Sequence, residues 1–115
     1  MTITIKRAYA PPAASDGKRV LVDRLWPRGV TKEKLKLDLW MKEIAPSNEL
    51  RKWIHAEPSK WSAFEARYCK ELEAHPDLVG ELRTMARAAN LTLVYSAKDE
   101  TRNNAAVLKR YLEGK

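Results

Sequence analysis

Two short runs, RVLVDRL at residues 19–25 and LTLVYSA at residues 91–97, limit what this chain can fold into. In the first, Val20 and Val22 fall on one face of an extended chain and Leu21 and Leu25 on the other. In the second, Leu91, Leu93 and Tyr95 alternate with Thr92 and Val94 before polar residues begin at Ser96. A strand apolar on both faces has to be covered on both, which is the condition of a central strand in a layered α/β sheet. TITIK at residues 2–6 differs, with Ile3 and Ile5 on one face and Thr2, Thr4 and Lys6 on the other, the alternation of a half-buried strand at or near an edge.

Between the two central strands the apolar period changes to that of helices. Ser47 can cap a helix whose Leu50, Trp53 and Ile54 share one face and which ends before Pro58. Pro58 and Ser59 then introduce a second helix with Trp61, Phe64, Tyr68 and Leu72 in one stripe. Pro76 starts a third, carrying Leu78, Leu82, Met85 and Ala89, with Asn90 as a left-handed stop. After the last strand, Asp99 or Thr101 can cap a terminal helix with Ala105, Leu108 and Leu112 inward and Gly114 at its end. APPAASDG at residues 10–17 reads as a loop closed by an Asp16-Gly17 turn. The expected fold is one α/β domain over residues 1–115, with a mostly parallel central sheet of three or four strands covered by helices. The pairing of the first two strands stays open, because the short link between them permits a hairpin more readily than a helical crossover.

A chain of 115 residues can bury a real core without metal or disulfide staples, and the single Cys69 has no internal partner. No apolar run approaches the roughly 20 residues of a membrane span, and the alternating start lacks the pattern of a signal peptide. A reducing, cytoplasmic setting without a membrane is the expectation. Charge is uneven: the net +7 is concentrated in residues 1–36, which hold nine basic side chains against three acidic ones. Such a segment points to an anionic partner, or only to solubility.

Ligands of open α/β sheets bind beyond the carboxyl ends of the strands, where loops carry polar groups and helix N-termini face the crevice. Both central strands end in polar clusters. The first supplies Asp23, Arg24, Trp26 and Arg28; the second supplies Ser96, Lys98, Asp99, Arg102 and Asn103. If the strands are parallel neighbours, the clusters converge, and arginine forks with the N–H groups of a helix starting near residue 100 can hold phosphate or carboxylate. Asp23 can orient an arginine or act as a general base, and its bland alternative is an ion pair with Arg24, Arg28 or Lys98. Trp26 can wall the pocket, whereas Trp53 and Trp61 lie in packing stripes and Trp40 in a core-like segment. Cys69 reads as a half-buried inert thiol. His55 and His75 lack partners at ligand spacing, so no metal is expected, and no glycine-rich loop announces a nucleotide cofactor.

The blocks DGKRVLVDRLWPRG, APSNELRKW, WSAFEARY and LTLVYSAKDETRNNAAVLKRYL together resemble domain-of-unknown-function family 488, in particular its short YeaO-like members. The resemblance runs nearly end to end and in order, and it names no activity. Residues shared with the family include Asp16-Gly17, Pro46-Ser47, Arg51, Arg67-Tyr68 and Asn103. Many short members have histidine where this chain has Arg102, so histidine-based catalysis does not carry over, while an arginine there still suits an anion. Longer relatives have a Cys-His-Arg motif after the last strand; this chain has no cysteine there, so thiol chemistry does not carry over either.

Three readings follow. One is a strand-end basic pocket for a phosphate-bearing small molecule, with Arg24 and Arg28 holding the anion, Lys98 and Arg102 assisting, and turnover left open. The second is a nucleic-acid binder using the basic N-terminal third as a backbone footprint. The third is a structural or protein-interaction module without a ligand. Oligomeric state is not written in the sequence.

Overall fold

A computed structural model describes residues 1–115. Four parallel strands, β1 (Ile3–Arg7), β2 (Lys18–Leu21), β3 (Leu39–Trp40) and β4 (Leu91–Tyr95), form one sheet in the order β1-β4-β2-β3. β4 pairs with β1 from Ile3–Leu91 to Arg7–Tyr95 and with β2 from Lys18–Leu91 to Leu21–Val94. The two runs apolar on both faces are therefore adjacent central strands, β1 is an edge, and the first two strands are separated by β4 instead of forming a hairpin. β3 was not evident beforehand, because two residues are too few for a period to show; it pairs with β2 at Val20–Leu39 and Leu21–Trp40.

One face of the sheet meets the main core. Ile3, Val20, Val22, Leu91, Leu93 and Tyr95 point to it, and helices α2 (Asn48–Ala56), α3 (Trp61–Glu73), α4 (Pro76–Ala88) and α5 (Asn104–Leu112) all bury apolar stripes there. The 3.6-residue period selects Phe64, Tyr68 and Leu72 of α3, which are buried; in α4 the buried stripe is Val79, Leu82 and Ala86, turned from the expected one, so that Leu78 and Met85 are only partly buried and Ala89 is exposed. Ser47 caps α2 as expected, accepting from the N–H of Leu50, and Glu71 of α3 holds that cap by accepting from both the N–H and the hydroxyl of Ser47. Tyr68 is fully buried and donates its phenol to the Ile44 carbonyl at 2.6 Å. Burial above all, then the carboxylates of Asp23 and Glu71, pushes that phenol's pKa well above 10.0.

The opposite face is covered by the one-turn helix α1 (Lys32–Leu35) and its flanks, with Ala8, Leu21, Leu35 and Val94 buried and Trp26 and Trp40 packed on them edge to face, 5.3 Å between ring centroids. Helices thus cover one face of the sheet, and a short helix with loops covers the other. A charged cluster sits on this second side. Asp16 and Arg19, 7% and 4% exposed, are bonded at 2.6 Å, Lys6 reaches the same carboxylate at 2.9 Å, and Arg19 also donates to the Leu35 carbonyl. Asp16 closes the loop before β2 as a 3-10 turn, and Gly17 follows at φ 66°, where a Cβ would stand 2.2 Å from the Asn90 carbonyl oxygen. Asn90 is not itself left-handed. α4 ends through an extended Ala89 at φ −161°, and the one non-glycine with positive φ is Lys36, which caps α1.

Candidate functional site

The parallel adjacency of β2 and β4 brings both polar clusters to one end of the sheet. Asp23 is the fastener between them. Its carboxylate accepts from the Ser96 N–H at 2.9 Å, from the Ser96 hydroxyl, and from the Asn104 side-chain amide at 3.2 Å. The same amide donates to the Val22 carbonyl at 2.9 Å, and the Asp23 carbonyl accepts from the Trp40 indole at 2.8 Å. The expected ion pair of Asp23 with Arg24, Arg28 or Lys98 does not form, because uncharged donors from the β4 loop and α5 take up both carboxylate oxygens. The geometry makes Asp23 a positioning residue for the loop after β4.

Arg24 turns away from Asp23 and donates to the carbonyls of Pro46 and Ala45, tying the loop after β2 to the segment that leads into α2. Trp26 lines the cleft and donates its indole N–H to the Val30 carbonyl at 2.6 Å. Arg28 enters the hydrogen bonding only through its carbonyl, which accepts from the Tyr9 phenol, and its guanidinium is exposed.

The loop after β4 is organised from within. Asp99 accepts through one oxygen from the N–H groups of Thr101 and Arg102 and from the Thr101 hydroxyl, all at 2.9 Å. Those bonds, that of Arg102 foremost, hold its pKa below 3.8. α5 starts at Asn104, later than expected, and its cap is Asn103, buried, accepting from the Ala106 N–H at 2.8 Å and donating to the Asp99 carbonyl. Neither Asp99 nor Thr101 caps the helix. Asp99 occupies the loop N–H groups that an anion would otherwise find, so the free cation that this loop brings to the cleft is the exposed Arg102.

A cleft of about 820 Å³ opens between these loops and the α2–α3 wall. Of the residues expected at the site, Asp23, Arg24, Trp26, Arg28, Ser96, Asp99, Arg102 and Asn103 line it. Lys98 does not; it is exposed and contributes nothing to the lining. The α2–α3 wall brings Arg51, Ile54, His55, Pro58, Trp61 and Phe64, which the sequence had not assigned to a site. Trp61 packs on Phe64 as expected, ring centroids 4.6 Å apart, and also lines the cleft. The available signal was position: Arg51 and His55 flank the buried Leu50 and Ile54, where a stripe meets its polar border. Arg51 is half-buried and its Nε is a buried donor without an acceptor. The lining holds four arginines against two aspartates.

Compared with known proteins, residues 2–115 match the family model DUF488-N3i, described as the inactive DUF488-N3 subclade. The chain is 49% identical over 112 residues to the uncharacterised protein YeaO of Escherichia coli K12, covering 97% of each chain. It is 38% identical over 113 residues to the uncharacterised proteins Mb3100c of Mycobacterium bovis and Rv3073c of Mycobacterium tuberculosis, covering 98% of this chain and 95% of each relative. No solved structure matches.

Proposed function

The chain belongs to the DUF488-N3i family, the inactive DUF488-N3 subclade, and from that premise we propose that its strand-end cleft binds a phosphate-bearing small molecule without turning it over. The observation that carries the proposal is that Arg28 and Arg102, from the loops after two different strands, bring unengaged guanidinium groups to one cleft. A guanidinium fork matches phosphate oxygens bidentately, and two forks from separate loops define an anion position better than a diffuse basic surface. Arg24 supports this indirectly, by fixing the loop that carries Arg28.

Binding without chemistry fits the state of the polar groups. The Asp23 carboxylate and the Ser96 hydroxyl are committed to each other, and no cysteine stands in the loop after β4. The nucleic-acid alternative is less well supported, since Lys6 and Arg19 are spent on Asp16, Arg24 on carbonyls and Arg7 on the Ala97 carbonyl. No helix is long and apolar enough to cross a membrane, and the lone, half-buried Cys69 suits a reducing cytoplasm.

The test is a thermal-shift titration of wild type, Arg28→Ala and Arg102→Ala with inorganic phosphate and sugar phosphates at two salt concentrations, with phosphate release followed in parallel. Ligand at ten times its Kd adds about 1.4 kcal/mol, or about 6 °C at about 2.1 cal/mol/K per residue. Each variant should fold normally, since both side chains are exposed, and should lose the shift. Stabilisation only by oligonucleotides, vanishing with salt, would move the function to nucleic acid. Phosphate release would refute the absence of turnover, and no shift with any anion would refute the cleft as an anion site.

A further inference from the structure

We infer that the ligand is an aromatic phosphate monoester, in which the phosphate meets Arg28 and Arg102 while a flat ring body lies on the α2–α3 wall. This rests on the anion reading of the cleft and names the rest of the molecule. A cleft of about 820 Å³ is far larger than one phosphate group needs and falls in the range that holds a drug-sized organic ligand. What fills the remainder is set by the lining beyond the arginines.

Asp23, Ser96, Asp99, Asn103 and Asn104 keep the strand-end side polar, while the side formed by Tyr9, Leu25 and the α2–α3 wall is largely apolar and aromatic. The chain exposes only three large hydrophobic side chains, and two of them, Tyr9 at 48% and Leu25 at 60%, stand on this cleft. Scattered exposed apolar residues need no explanation, but two of three beside one cleft do. Behind them Trp61 is half-buried, its ring stacked on Phe64, and Ile54 and Pro58 continue the surface. A flat ring buries against such a surface with little loss of its own freedom, and stacking on indole tolerates any aromatic system. Arg51 lies in the same wall, its Nε closed off from solvent.

The experiment is calorimetric titration of the full chain with inorganic phosphate, ribose 5-phosphate, adenosine 5′-monophosphate, phenyl phosphate and adenosine, repeated on Leu25→Ser, Trp61→Leu and Arg28→Ala. A ring-bearing phosphate should bind at least about ten-fold tighter than ribose 5-phosphate or inorganic phosphate, the scale of one stacked ring. Leu25→Ser and Trp61→Leu should narrow that preference and leave inorganic phosphate unchanged, whereas Arg28→Ala should weaken all phosphates together. Leu25 is exposed, so its variant keeps the test sound if Trp61→Leu fails to fold. Preference for the nucleotide or for phenyl phosphate identifies which class of ring the wall accepts. Equal affinity for ribose 5-phosphate and both ring-bearing compounds overturns this inference and leaves the anion reading standing. Adenosine binding as tightly as its monophosphate overturns the anion reading and this inference with it, and silence from every compound does the same.

Discussion

Replacing Asp23 with asparagine changes one oxygen to an amide nitrogen at almost constant volume, at a residue whose acceptors all face donors. Oδ2 receives the backbone N–H and hydroxyl of Ser96, and Oδ1 receives the Asn104 amide. The Ser96 N–H cannot reverse, and turning the Asn104 amide would set its oxygen against the Val22 carbonyl, which that amide now satisfies at 2.9 Å. With its nitrogen at the Oδ2 position the new side chain opposes the Ser96 N–H, and at the Oδ1 position it opposes the Asn104 amide, so either orientation leaves one donor unmet. The loss is one bond to a charged acceptor plus an unmet donor, about 2 to 3 kcal/mol. With an unfolding entropy of about 2.1 cal/mol/K per residue over the 115 residues, the melting temperature should fall by about 8 to 12 °C. Scanning calorimetry and urea unfolding measure this directly, and the difference should persist in high salt because the partners are uncharged. A double-mutant cycle with Ser96→Ala should show coupling, since both substitutions break the same bond. If Asp23→Asn melted within about 2 °C of wild type, the carboxylate would not be the fastener of the two strand ends.

Burial alone raises the pKa of Asp16, but its bonds to Lys6, the Ala13 N–H and Arg19 outweigh that and hold it below 3.8. The stability it supplies is complete above the unfolded value and disappears as pH falls through the lower folded one, so Asp16→Asn should cost about 3 kcal/mol at neutral pH and flatten the acid limb of the stability curve below about pH 4. Gly17→Ala should destabilise by at least about 2 kcal/mol in urea unfolding, because the positive φ is joined by a contact of 2.2 Å with the Asn90 carbonyl oxygen. Burial, and next the Glu65 carboxylate, pushes the Cys69 thiol above 9.0, so iodoacetamide at pH 7 should alkylate the native chain several-fold more slowly than the urea-unfolded one. Equal rates would contradict that environment.

The central strands could be read from the sequence because burial on both faces writes an unbroken apolar run, and the meeting of two distant clusters followed only on the condition that those strands are parallel neighbours, which the sheet order supplies. What the clusters do on meeting was less legible. Asp23 finds its partners 73 and 81 positions along the chain, and neither serine nor asparagine advertises itself as a carboxylate's donor. Arg19 counted toward a basic surface and is instead buried, because its partner Asp16 lies in a turn whose shape no period encodes. Several residues of DETRNN could cap α5, and the choice of Asn103 follows from where Ala105 has to enter the core. Trp61 was legible as packing and illegible as cleft lining, since a helical stripe records burial against the core and says nothing of what its edge faces.

The strand order has a further consequence for how the chain is made. β4, the last strand to be synthesised, stands between the first two, and Ile3 waits for Leu91 before it has a neighbour. At about 5 to 20 residues per second on a ribosome, β1 and the inner edge of β2 spend several seconds as unpaired backbone before their common partner emerges. Both lips of the cleft come into register in that same late step. A nascent chain halted before residue 91 therefore presents two open edges and no cleft, the state in which a chaperone has most to protect.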